Sequence, residues 1–313
     1  MGEYTDILSL HARLVARRDD SSRRIERVRE SLSEFVELRD PGLTVFVAGS
    51  IGRGECGSRS DLDLFITATK AFNDNEKARF VEAIRATAVK LKFAPPTEKF
   101  LKVYSLSDLL KHTGSPEDDE LNSFTTRMLL LLESSPALND DTYASIRDQI
   151  LSQYFRDERG KAVFRPLFLL NDVLRYWRTL CLNYEVLRHD QERPWWKNNA
   201  NLKFSRMLTV FSTVATLIVE EVADKKDFQP ICALKPLQRL ARALDGLGDN
   251  GLRDGFVQLL DDYESFLKWK EGDDTGRTGY DELRPKAERF SQFMYELLNH
   301  RQISPLRRKY LVI

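Results

Sequence analysis

Asp61-Leu62-Asp63 sets two carboxylates two residues apart. In an extended chain residues i and i+2 turn to one face, so the pair would stand side by side. Adjacent carboxylates repel unless a cation lies between them. Hard oxygen ligands at this spacing suit Mg²⁺, which keeps several waters and takes further ligands from substrate phosphates. Upstream of Asp61, with ten residues intervening, the chain ends an apolar run in Gly49-Ser50. Glycine there lets a phosphate approach the backbone, and the serine hydroxyl and nearby N–H groups can hold phosphate oxygens. Gly-Ser followed by Asp-x-Asp is therefore chemistry for a nucleoside triphosphate with its metal.

Two commoner phosphate motifs fail on the same stretch. The ATPase phosphate loop ends in Gly-Lys-Ser/Thr, but Gly54 is followed by Glu55 and Cys56. The dinucleotide turn G-x-G-x-x-G opens a helix after its strand, whereas the turn here leads toward a second strand.

The elements that must position these groups follow from periodicity. Residues 43–48 (LTVFVA) read as a short buried strand, 49–60 as a glycine-rich turn and 61–68 (DLDLFITA) as a second strand. A helix over 75–92 carries Ala78, Val81, Ile84, Ala88 and Leu91 on one face, Pro95-Pro96 ends it, and 99–104 forms a third strand. Upstream, 5–38 reads as helical, with Arg17, Arg18, Arg23, Arg24, Arg27 and Arg29 forming either a solvated face or a phosphate-facing stripe. Beyond residue 105 the pattern is almost wholly helical, over 120–133, 141–156, 162–188, 201–223, 234–246, 252–271 and 280–300. The loop 272–279 (GDDTGRTG) has the composition of a mobile connection. The expected fold class is α+β: a small mixed-sheet core with an N-terminal helix over 1–110, then an all-α domain over 111–313.

Composition limits the partners. Among 313 residues, 48 Lys+Arg balance 48 Asp+Glu, so a protein that coats nucleic acid is disfavoured and any such contact must be local. Hydrophobic residues at 42% supply a sizeable core. No apolar run approaches the ~18 residues of a membrane span, and the N-terminal residues have no signal-peptide pattern, so no membrane partner is expected. Cys56, Cys181 and Cys232 lie far apart, as do His11, His112, His189 and His300. A zinc site is disfavoured and a reducing, cytoplasmic location is expected.

Residues 45–66, VFVAGSIGRGECGSRSDLDLFI, resemble the DNA polymerase β-like nucleotidyltransferase superfamily, whose motif is an apolar strand, Gly-Ser, a spacer and Asp-x-Asp. Arg53-Gly54 and Ser60 match the variant common in small bacterial members. The resemblance implies a nucleotidyltransferase core that moves a nucleoside monophosphate from an NTP, such as ATP, to an acceptor hydroxyl, with Mg²⁺ or Mn²⁺ as cofactor. Asp61 and Asp63 would be metal ligands and catalytic, and Gly49, Ser50 and Arg53 would bind the nucleotide. It also implies a third metal carboxylate, for which Glu98 is the candidate and Asp108 the alternative, although Ser107-Asp108-Leu109 also suits a helix N-cap.

In related enzymes a helical domain supplies lysine and serine to the triphosphate, which points to Lys203 and Ser205, with Arg206 beside them. The nucleotide would then lie between the two domains. The surrounding run, 193–208, also holds Arg193, Trp195, Trp196 and Lys197; cations among indoles suit phosphates and stacked bases, or the indoles pack a helix start against the core. On 164–185, Asn171, Arg175, Arg178 and Glu185 follow helical spacing beside the core stripe, either lining a nucleotide cleft or forming an ion-pair network. Arg127, amid apolar residues, is either an ion-pair partner or a phosphate contact.

The acceptor could be a short oligonucleotide, other RNA such as a tRNA end, a protein or a small molecule. Stand-alone bacterial members with a helical C-terminal domain resemble toxin or phage-defence enzymes. The alternative from another class is a non-catalytic nucleotide sensor or regulatory subunit on the same fold.

Overall fold

The computed structural model describes residues 2–94, 100–156, 165–188, 195–272, 276–309 and 311. Where the spacing suggests one N-terminal helix, His11 interrupts it: α1 (Glu3–Leu10) ends and α2 (Ala12–Ser33) begins. His11 Nδ1 accepts the Leu14 N–H at 3.4 Å, satisfying one of the amides that a new helix start leaves open. The chain then forms β1 (Leu43–Val47), the single turn α3 (Gly49–Gly52), β2 (Leu64–Ala68), α4 (Asp74–Lys90) and β3 (Val103–Ser105). It continues through α5 (Leu106–Lys111), α6 (Pro116–Glu120), α7 (Ser123–Leu132), β4 (Ser135–Leu138) and α8 (Asp140–Tyr154).

The four strands form one mixed sheet in the order β3-β2-β1-β4. β1 runs antiparallel to β2, with Leu43 opposite Ala68 and Val47 opposite Leu64, and antiparallel to β4. β3 runs parallel to β2, with Val103 opposite Ile66. Every residue of β1 and β2 is buried, so both faces of the central strands are covered. Leu43, Val45, Val47, Leu64, Ile66 and Ala68 share a cluster with Val28 and Leu32 of α2 and with Phe80, Ala83 and Ile84 of α4. On the other face Phe46 and Phe65 stack at 5.1 Å, with Tyr143 of α8 at 6.4 Å from Phe46. An aromatic pair of this kind adds about 0.5–1.5 kcal/mol beyond its area burial. The start of α4 is fixed by a reciprocal capping box between Asn73 and Glu76.

β4 is the main departure from the sequence expectation: it falls between the helices expected over 120–133 and 141–156, where no strand is expected. Four residues are too few to show a period, and Pro136 suits an edge strand. The described chain divides into two compact units, Arg17–Cys56 with Ser60–Arg156, and Met1–Ala16 with Gly57–Arg59 and Asp157–Ile313. The sheet-bearing unit therefore takes in β4 and α8, beyond the boundary expected at residue 110. Within it Arg127 is fully buried and donates to both carboxylate oxygens of Asp118 (2.9 and 2.6 Å), to the Leu109 carbonyl and to the Tyr154 hydroxyl (both 2.8 Å). Of its two possible roles, the ion pair is the one the structure shows.

The other unit is helical: α9 (Leu167–Arg188), α10 (Trp195–Asn201), a wide turn over Leu202–Arg206, α11 (Met207–Val219), α12 (Lys225–Ala233), α13 (Pro236–Leu247), α14 (Arg253–Glu271), α15 (Arg277–Leu298) and α16 (Pro305–Lys309). The spacing misses α12, since Pro230 sits inside it, but Asp224 caps it by accepting from Lys226 and Asp227 amides. Phe204 stacks on Phe266 at 4.6 Å and meets Phe290 at 5.3 Å in the unit's core. Trp195–Val219, a run of 25 residues with an 18-residue window of mean hydropathy 1.4, is long and apolar enough to cross a membrane by length and composition. In the structure 67% of that window is buried inside the protein.

Candidate nucleotide site

β1 delivers the chain to Gly49, and the sheet's antiparallel ladder runs one step past the strands: Ala48 N–H donates to the Asp63 carbonyl at 2.9 Å. That bond fixes Asp63 beside the start of the glycine turn. Gly49 sits at φ +66°, a conformation that disfavours side chains. A Cβ at Gly49 would lie 2.2 Å from Asp63 Oδ2. The carboxylate thus occupies the space that a side chain at 49 would fill.

The chain then makes one helical turn. Gly52 N–H bonds to the Ala48 carbonyl at 3.1 Å and Arg53 N–H to the Gly49 carbonyl at 2.9 Å. The Ser50 and Ile51 amides precede the first of these bonds and belong to the set that a helix start presents to ligands. Ser50 Oγ donates to Ser60 Oγ at 2.9 Å, joining the two arms of the turn. Asp61 and Asp63 are both exposed, while Leu62 between them is buried. The alternation expected of a strand is present, although β2 itself begins only at Leu64. Gly49, Ser50, Ser60, Asp61 and Asp63 are therefore brought together at one end of β1 and β2.

The turn is anchored on two sides. On one, Cys56 N–H donates to Ser21 Oγ of α2 at 3.1 Å and the Cys56 thiol meets Asp20 Oδ2 at 3.2 Å. Burial pushes the Cys56 thiol up to about 11. Burial would raise the Asp20 pKa, but the Cys56 hydrogen bond and the Arg24 charge hold it below its ordinary value. Arg17 donates to the Cys56 carbonyl at 3.4 Å, Arg23 and Arg24 pair with Asp20, and Arg29 pairs with Asp140. These four members of the N-terminal arginine run serve packing contacts within their unit.

On the other side is Arg53, whose assignment to the nucleotide needs correction. Its guanidinium is buried and donates to Glu55 Oε1 and to Glu133 Oε2, each at 2.7 Å. A cation enclosed by two carboxylates is not presented to a phosphate. Sequence reasoning missed Glu133; the available signal was an acid placed directly after the apolar run 128–132, where burial demands a cation.

Glu98 and Arg193 lie outside the described residues. Asp108 accepts the Ser105 N–H as the N3 member of a capping box that begins α5, a structural role three residues from the cap itself. Among the described residues no group of three or more His, Cys, Asp or Glu side chains forms a metal cluster.

The remaining predicted residues lie in the helical unit. Ser205 is buried and accepts from the Tyr263 hydroxyl at 3.3 Å, so its hydroxyl is turned into the core rather than toward a ligand, which corrects that expectation. Lys203 pairs with Glu288 at 2.8 Å, a bond that holds the Glu288 carboxyl below its ordinary pKa. Arg206 is partly buried, Arg175 lies 3.6 Å from Asp172, and Arg178 is exposed. Trp195 packs edge-on against Trp196 and Tyr280 at 6.2 and 5.4 Å, which is the helix-packing role.

Comparison with known proteins agrees with the geometry. Residues 25–113 match the family model of the nucleotidyltransferase domain. No curated protein matches the chain. Residues 25–113 thus carry a nucleotidyltransferase domain, consistent with the polymerase β-like kind, and this segment contains β1, the glycine turn, both aspartates, α4 and β3.

Proposed function

We propose that the protein is a metal-dependent nucleotidyltransferase that moves a nucleoside monophosphate from an NTP to an acceptor hydroxyl. The observation that carries this is the juxtaposition of Asp61 and Asp63, exposed on either side of buried Leu62, with the Cβ-free backbone of Gly49. The donor set fits Mg²⁺ or Mn²⁺: two hard carboxylates at exposed positions, with solvent for the remaining ligands. Asp61 and Asp63 would hold the metal. When bound, it supplies charge neutralisation at the α-phosphate and the departing pyrophosphate.

The chain's own residues position the reactants. Ser50 has its hydroxyl held in the turn by Ser60, and its amide opens the helical turn; both would steady the outer phosphates. The acceptor oxygen attacks the α-phosphorus in line, a P–O bond to the acceptor forms, and the bond to pyrophosphate breaks. Little covalent chemistry is left for side chains beyond this positioning. A net charge of zero favours a short oligonucleotide, an RNA end, a protein or a small molecule over long duplex DNA as acceptor.

The test is incubation with each labelled NTP and dNTP, with Mg²⁺ or Mn²⁺, with and without cellular RNA, for the parent and for Asp61→Asn and Asp63→Asn. Transfer by the parent and its loss in both variants, with unchanged or slightly raised melting temperature, is the expected result. Activity in either variant within a few-fold of the parent refutes the mechanism. Nucleotide binding with no transfer to any acceptor returns the sensor alternative.

A further inference from the structure

Three charged side chains lie buried beneath the glycine turn: Arg53, Glu55 and Glu133 are 4%, 6% and 0% exposed. Taking three ions out of water is costly, and such groups persist only where geometry and hydrogen bonding offset the loss. Their geometry is close, with Arg53 Nη2 2.6 Å from Glu55 Oε1 and Nη1 2.7 Å from Glu133 Oε2. The two carboxylates differ in where they come from. Glu55 belongs to the turn and closes it on itself. Glu133 stands between α7 and β4, so it ties the turn to the edge strand that pairs with β1.

The backbone around Glu133 is fitted to the same place. A Cβ on Gly52 would lie 2.3 Å from the Glu133 carbonyl and 2.7 Å from that of Val47. Ser135 Oγ donates to the Gly52 carbonyl at 3.3 Å. The amides of Arg53, Gly54 and Glu55 bond back to the carbonyls of Gly49, Ile51 and Ser50 at 2.9, 3.1 and 2.9 Å. A force on Arg53 is therefore transmitted directly to Gly49 and Ser50, and through Gly49 to the space that the Asp63 carboxylate occupies.

We infer that Glu133, acting through Arg53, is a positioning residue for the nucleotide site: it fixes the glycine turn so that Ser50, Asp61 and Asp63 stay in register. This rests on the proposed function for its consequence, but not for the tether itself. Neither Glu133 nor Arg53 touches the reacting atoms; both act through the turn.

Glu133→Gln keeps the shape, removes the charge and leaves Arg53 paired with Glu55. Two readouts are needed. One is hydrogen exchange at the Arg53, Gly54 and Glu55 amides, compared with amides of β1 and β2 and with the melting temperature. The other is calorimetric binding of Mg²⁺ with each of four non-hydrolysable ribonucleoside triphosphate analogues. Exchange in the turn should rise at least tenfold while the strand amides hold, and affinity for the best analogue should fall about tenfold. Glu55→Gln, which leaves the Glu133 tether in place, should do less on both counts. If Glu133→Gln does not fold, Arg53→Lys, which reaches one carboxylate at a time, is read in the same way. Unchanged exchange overturns the tether, and raised exchange with unchanged affinity overturns its role at the site. A parent that binds none of the analogues, with exchange still raised in the variant, upholds the tether and refutes the proposed function instead.

Discussion

Gly49→Ala separates the stability of the turn from the placement of its carboxylate. Two penalties act at this position. At φ +66° an L-residue costs about 1–2 kcal/mol more than glycine. The new Cβ would also fall 2.2 Å from Asp63 Oδ2 and 3.2 Å from Asp63 Cγ. The struck atom is the exposed end of a side chain, so rotation relieves the overlap at small cost to folding. Relief, however, moves the carboxylate by about 1 Å, and a misplacement of that size can cost up to about 10²-fold in rate.

Gly114→Ala is the matched control. Its φ is +86° and a Cβ there meets nothing within 4 Å, so only the backbone penalty applies. Denaturant unfolding should show both variants destabilised by about 1–2 kcal/mol, nearly alike. Nucleotidyl transfer should fall by one to two decades in Gly49→Ala alone. Transfer by Gly49→Ala at the level of Gly114→Ala would refute the claim that this glycine exists to seat the aspartate.

Two further outcomes test the sheet unit. Replacing Asp118 by Asn leaves the buried Arg127 charge without its carboxylate; loss of one member of such a pair costs about 3–5 kcal/mol, so the unfolding midpoint should drop sharply, and a midpoint close to the parent's would show the pair dispensable. The second concerns acid stability. The Lys70 hydrogen bond, opposed by burial and helped by the Gly42 amide, holds the Asp40 carboxyl below its ordinary value. A depressed folded pKa contributes stability above the unfolded value, near pH 3.9, and that stability is lost as pH falls through the folded value. Asp40→Asn should therefore be less stable than the parent at pH 7 and converge with it at the acid end; a constant gap down to pH 2 would disprove the linkage.

The site's core was readable because its chemistry and its backbone demands coincide. Gly-Ser after a buried strand and two alternating aspartates state a geometry, and the Ala48–Asp63 bond, the close approach of Asp63 to Gly49 and the Ser50–Ser60 bond are what that pattern requires of the backbone. Spacing alone could not show where β2 begins. Alternation continues through Asp61-Leu62-Asp63, but the ladder reaches only one carbonyl beyond Leu64, so the aspartates occupy an extended approach rather than the strand. β4 was hidden for a related reason. Its pairing partner, β1, is about 90 residues away in sequence, and such long-range pairing carries no local signal.

Arg53, Lys203 and Ser205 show a different limit. Each is a residue type that binds phosphate, and each has a competing use that depends on distant parts of the chain. Arg53 meets Glu133, Lys203 meets Glu288 and Ser205 meets Tyr263. Residue type announces capacity, while partners decide employment. The acids around the glycine turn divide in the same manner. Glu55 and Glu133 enclose a guanidinium and Asp20 holds Arg24, whereas Asp61 and Asp63 stand exposed to solvent. The buried acids are matched by fixed cations, which suits them to hold the turn in one shape. A turn whose buried acids are matched by fixed cations keeps one backbone shape, and that shape is what leaves Asp61 and Asp63 at the surface on either side of Leu62.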